Sequence, residues 1–108
     1  MHLSILLRAA RVWEKAEKVE GYNPQIWRKD FAGAWIRRQD FGLRTMYGWG
    51  IGFICPSSRG GNSEDGNLIP IHWKNKMSKS EDYPTFKSCV TSYGSRNIYS
   101  FKEWTITR

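Results

Sequence analysis

Gly48-Trp49-Gly50-Ile51-Gly52-Phe53-Ile54-Cys55-Pro56 and, further on, Asn67-Leu68-Ile69-Pro70-Ile71-His72-Trp73 are the two stretches that decide the fold of this chain. In the first, a repeat of two places Trp49, Ile51 and Phe53 on one face of a strand, and Gly50, Gly52 and Ile54 on the other. Two glycines inside one strand signal close backbone approach or a bulge. Ser57 to Gly66 is rich in Gly, Ser and Asn and reads as a polar loop. Asn67 to Ile71 then predicts a short strand that stops around Pro70, and His72 to Lys79 a brief helix.

Leu6, Ala9, Ala10, Trp13, Ala16 and Val19 recur at three- and four-residue spacing with charged residues between them, which predicts an amphipathic helix from about Leu3 to Val19. Glu14 and Lys18 form a favourable i,i+4 pair on it, and Gly21-Tyr22-Asn23-Pro24 stops it. Ala34-Trp35-Ile36 reads as a further strand. Lys87 to Tyr93 and Asn97 to Thr107 read as a hairpin around Gly94-Ser95-Arg96. The expectation is an α+β chain in one domain spanning 1–108: N-terminal helix (1–20), short antiparallel strands, strand–loop–strand–helix unit (48–80) and C-terminal hairpin (87–107).

The chain has 108 residues, 40% hydrophobic and 15% aromatic, which favours a globular domain over a disordered one. No apolar run reaches the ~20 residues needed to span a bilayer. The start resembles no secretory signal, so the expected location is cytoplasmic, with no membrane partner. Three glutamates on the polar face of the first helix argue against a membrane-surface role. Lys and Arg total 17 against 10 Asp and Glu, a net charge of +7 that makes polyanions the leading partners. Cys55 and Cys89 fit neither a disulfide framework nor a zinc pair and read as reduced thiols.

Gly48 to Pro56, Gly60-Gly61, Asn67-Leu68, His72-Trp73 and Lys79 together resemble the HNH endonuclease family, the ββα-metal fold. Gly21 to Pro24, Trp27 to Asp30, Gly33 to Ile36 and the terminal hairpin resemble flanking parts of small bacterial HNH proteins, so the resemblance runs from about residue 10 onward. It implies that Asn67 holds the loop, together with Gly60 and Gly61. The family's metal-binding Asp falls on Gly52, its general-base His on Phe53, and its second metal ligand on Lys76, with Asn75 one place earlier.

These replacements have a chemical consequence. One-metal phosphodiester hydrolysis needs ligands for a divalent cation and a base to activate water. Gly and Phe supply neither, and an ammonium at Lys76 repels a cation but can face a phosphate. Neither a metal nor any other cofactor is expected. A displaced metal site would draw on His72, Asn75, Glu64, Asp65 or Asp82; His2 is a poor ligand.

Arg37, Arg38, Arg44, Arg59, Lys74, Lys76 and Lys79 are the candidate phosphate-binding residues, against the plain alternative of a solvated charged face. Trp35, Trp49 and Trp73 could stack on bases, although aromatics in such elements more often build core. The leading expectation is a catalytically inactive pseudo-nuclease that binds nucleic acid, chiefly duplex DNA and without sequence preference. The alternatives are a protein-interaction or inhibitor module on a nuclease-like scaffold, with surface aromatics and Phe53 in the contact, and a residually active metal-dependent endonuclease.

Overall fold

A computed structural model of the protein describes residues 3–107. In chain order the elements are α1 (Leu3–Trp13), β1 (Trp27–Lys29), β2 (Trp35–Arg37), β3 (Trp49–Phe53), β4 (Leu68–His72), α2 (Trp73–Lys79), β5 (Thr85–Tyr93) and β6 (Arg96–Thr105). The strands form three antiparallel pairs, β1 with β2, β3 with β4 and β5 with β6, so the architecture is α+β. None of the described helices is long and apolar enough to cross a membrane.

The first helix is shorter than its periodicity predicts, ending at Trp13 instead of Val19. The cause is Arg28, whose side chain is 1% exposed. Its Nη1 donates to the carbonyls of Trp13, Glu14 and Ala16 at 3.4, 3.1 and 3.4 Å, and its Nε to that of Pro24 at 2.8 Å. A guanidinium thus satisfies carbonyls that a continuing helix would have used. Glu17 then pairs with Lys29 of β1 through both of its backbone groups, at 2.9 and 3.0 Å. Glu14 accordingly meets Arg28, at 3.1 Å, in place of the expected Lys18.

Ala9, Val12, Trp13 and Ala16 are the buried face of this segment, packed with Ile36, Trp49 and Leu68. Leu6, assigned to that face by its spacing, is exposed along with Leu3, Ile5 and Leu7. Trp49 sits between Trp13 and Phe41, with ring centroids 5.2 and 4.9 Å away. Ile51 and Phe53 pack against the same cluster, which leaves Gly50 and Gly52 on the opposite face of β3. β4 continues through Pro70 to His72, with Pro70 opposite Ile51. The strand has a neighbour on one side only, where a missing N–H is tolerated.

β5 and β6 turn through Gly94 and Ser95, with Gly94 at φ +60°. β5 carries a bulge between Ser88 and Val90. Asn75 fills that irregularity: its Oδ1 accepts from the N–H groups of Cys89 and Val90, both at 2.8 Å, and its Nδ2 donates to Val90 O at 2.9 Å. The same Nδ2 donates to Asp30 Oδ2 at 3.0 Å. Asp30 also accepts from the N–H groups of Ala32, Ala34 and His72, at 3.0, 3.0 and 2.9 Å. Two buried side chains therefore join β1, β2, β4, α2 and β5.

Candidate nucleic-acid interface

Gly52, Phe53 and Lys76 line one depression of about 180 Å³ between β3 and α2, shared with Pro56, Ile71 and Lys79. Of the two glycines of β3, Gly52 lines it, and Gly50 lines a neighbouring depression that also includes Lys76. A Cβ on Gly50 would lie 3.9 Å from Lys76 Nζ, and one on Gly52 only 2.9 Å from Ile71 Cγ2. The ammonium of Lys76, exposed on α2, thus stands over a strand face without side chains.

The loop between β3 and β4 is held by Asn67. Its Oδ1 accepts from Cys55 N–H at 2.8 Å, and its Nδ2 donates to Cys55 O at 2.8 Å and to Asn62 O at 2.7 Å. Gly61 packs so closely that a Cβ there would fall 1.7 Å from Cys55 O, whereas Gly60 adopts φ +88° in open space. Their N–H groups donate to Pro56 O and Ser57 O, both at 3.0 Å, so this pair forms a turn and offers no phosphate cradle. Arg59 is exposed beside it.

The displaced metal candidates do not converge. His72 caps α2, its Nδ1 accepting from Lys74 N–H at 3.1 Å while Nε2 donates to Met46 O at 2.9 Å. Burial holds this imidazole below its ordinary pKa of 6.5, against the Met46 bond and the charge of Asp30. Asn75 is committed to Asp30 and β5. Glu64, Asp65 and Asp82 are exposed, and Asp65 pairs with Arg11 at 3.5 Å. His2 lies outside the described residues. Among those described, no group of three or more His, Cys, Asp or Glu is placed to hold a metal ion, and both cysteines are free.

The seven basic candidates separate. Arg44, Lys74 and Lys76 gather around Trp73, at the start of α2 and on the 42–47 loop. The Arg44 guanidinium and the Lys74 ammonium lie 5.7 and 5.3 Å from the Trp73 ring centroid, and Arg44, Trp73 and Lys76 share one depression. Lys79 must be removed from the set: it is 2% exposed, its Nζ donates to Asp82 O at 3.2 Å and lies 4.9 Å from the Phe86 ring centroid. Burial lowers its pKa. Arg37 is ion-paired with Asp40 at 2.9 Å, and Arg38 bonds to Gln25. With Arg59, these two arginines line none of the depressions around α2.

The three tryptophans weighed as stacking platforms also separate. Trp35 and Trp49 are buried, and Trp73 is half-buried. Its Nε1 donates to Thr45 O at 2.7 Å, which fixes the indole beside a second depression of about 360 Å³. Tyr99 of β6 lines the far side and bonds to Lys74. Sequence reading missed Tyr99 because its partner is 25 residues away, across the hairpin. Compared with family models, curated proteins and solved structures, the chain matches none.

Proposed function

We propose that this is a nucleic-acid-binding protein built on an HNH-like ββα unit whose metal and general-base positions have been replaced, so that it holds phosphates without hydrolysing them. The observation that carries the reading is the meeting of Gly52, Phe53 and Lys76 around one depression. A strand, a loop closed by an Asn, a second strand and a helix supply the frame. A cation stands where a divalent ion would otherwise face the phosphate. Arg44 and Lys74 extend the positive surface along the start of α2, and the net charge of +7 acts in the same sense. The contacts are to phosphate, so the expected binding to duplex DNA is insensitive to sequence.

Salt titration tests this reading. Each phosphate contact adds about 0.9 to the slope of log affinity against log salt on duplex DNA. Arg44→Ala, Lys74→Ala and Lys76→Ala should each lower that slope by about one contact, whereas Lys79→Ala should leave it unchanged. A slope near zero, or one that none of these first three substitutions alters, contradicts the proposal.

A protein partner is the second reading. It is favoured by Leu3, Ile5, Leu6 and Leu7, which leave the first turns of α1 apolar and exposed, and by Tyr93 and Phe101 on the terminal hairpin. Saturable binding to a protein without nucleic acid would favour it.

A further inference from the structure

We infer that the depression between Trp73 and Tyr99 seats one unpaired base of a single-stranded nucleic acid, while Arg44 and Lys74 hold the adjoining phosphate. The inference rests on the nucleic-acid reading above and names the form of nucleic acid that the site selects. The depression is bounded by the start of α2, the 42–47 loop and β6, and its volume of about 360 Å³ is near the low end of small-ligand pockets. It is a recess for one nucleotide, into which a paired base in a duplex cannot turn.

The chemistry of the lining narrows the occupant. The Thr45 hydroxyl donates to Asp40 Oδ2 at 2.7 Å, and the Trp73 N–H to Thr45 O at 2.7 Å. Asn97 Oδ1 accepts from Trp35 N–H at 2.7 Å, and its Nδ2 donates to Trp35 O at 3.0 Å and Met46 O at 3.2 Å. His72 Nε2 donates to Met46 O as well. These polar groups are occupied within the protein, so they do not read a base edge. The rest of the lining is the rings of Trp73 and Tyr99, the apolar side chains of Met46, Val90 and Ile98, and the two cations. Lys74 Nζ stands 4.5 Å from the Tyr99 ring centroid and 5.3 Å from that of Trp73. Lys74 is held at the Tyr99 hydroxyl, so a base can stack on the ring faces while the ammonium beside them meets the phosphate. Such stacking is tolerant of sequence, since every base has a π face.

Fluorescence anisotropy with the intact chain tests this on three probes: a short labelled oligo(dT), the matching oligo(rU) and a duplex of equal length. Either single strand should bind more tightly than the duplex, and the tighter of the two assigns the sugar. Tyr99→Leu, at a side chain 65% exposed, should weaken single-strand binding by about 5- to 150-fold, the effect of removing one stacked base. Trp73→Leu should act in the same direction. Equal affinity for duplex and single strands, or a Tyr99→Leu loss that is the same for both, overturns the base seat while leaving phosphate binding intact. No binding to any probe overturns both.

Discussion

Asn75 Nδ2 donates to Asp30 Oδ2 at 3.0 Å, joining buried residues 45 positions apart in the chain. Through this one bond the β1–β2 pair is tied to α2, and α2 in turn to the bulge of β5. The basic face is therefore set out on elements whose relative positions depend on two polar side chains as well as on apolar packing. Burial pushes the Asp30 carboxyl above the usual carboxylate value, and four N–H donors oppose it by favouring the charged form. No buried side-chain nitrogen or oxygen among the described residues lacks a partner.

Asn75→Ala should accordingly be among the most damaging substitutions. It leaves the buried N–H groups of Cys89 and Val90 without an acceptor and deprives Asp30 of a donor. At about 1–3 kcal/mol for each orphaned group, the variant should lose about 3 kcal/mol or more. Urea unfolding measures the loss, and a value below about 1 kcal/mol would show that water or local rearrangement replaces these bonds.

Acid should weaken the fold through His72. Its folded pKa lies below the ordinary 6.5, so the unfolded chain binds more protons in this range. The contribution of the neutral imidazole is complete above 6.5 and is lost as pH falls through that value toward the lower folded pKa. Protonation also puts a proton on Nδ1, where Lys74 N–H needs an acceptor. His72→Asn, which keeps a capping side chain, should show a flatter stability profile between about pH 5 and 7.5. Parallel profiles for the two proteins would contradict this assignment.

Restoring a metal site requires more than replacing three residues. Gly52→Asp with Phe53→His and Lys76→Asn brings ligands to the depression, but a Cβ at Gly52 meets Ile71 Cγ2 at 2.9 Å. Ile71→Leu removes that branch, a swap of equal volume that typically costs less than about 1.5 kcal/mol. The four-residue variant should take up a divalent cation by calorimetry, and the three-residue variant should do so less well or be less stable. A folded four-residue variant that binds no cation would contradict the correspondence of Gly52, Phe53 and Lys76 with metal-site positions.

The local part of this architecture was legible in sequence. Alternation along 49–53 placed Trp49, Ile51 and Phe53 on one face, which the structure packs against the core, and Gly94-Ser95 marked the terminal turn. What escaped is long-range and polar. Nothing in the periodicity of the first helix reveals that Arg28 will take its last carbonyls, and a charged residue in the buried position of β1 hides that strand. Lys79 resembled its exposed neighbours on α2 until Phe86 and Asp82 were packed around it. Asn75 had the residue type of a metal ligand, and only the bulge in β5 shows what its amide holds. Tyr99 came into view through the hairpin that carries it to Lys74.

Incubating supercoiled plasmid with increasing protein, in Mg²⁺ or Mn²⁺ with and without chelator, tests most directly whether this chain binds nucleic acid without cutting it. Native and denaturing gels read retardation and nicking from the same samples. The account predicts retardation that salt weakens and chelator does not alter, with the plasmid left intact. Nicking that survives repurification and disappears with chelator would contradict it.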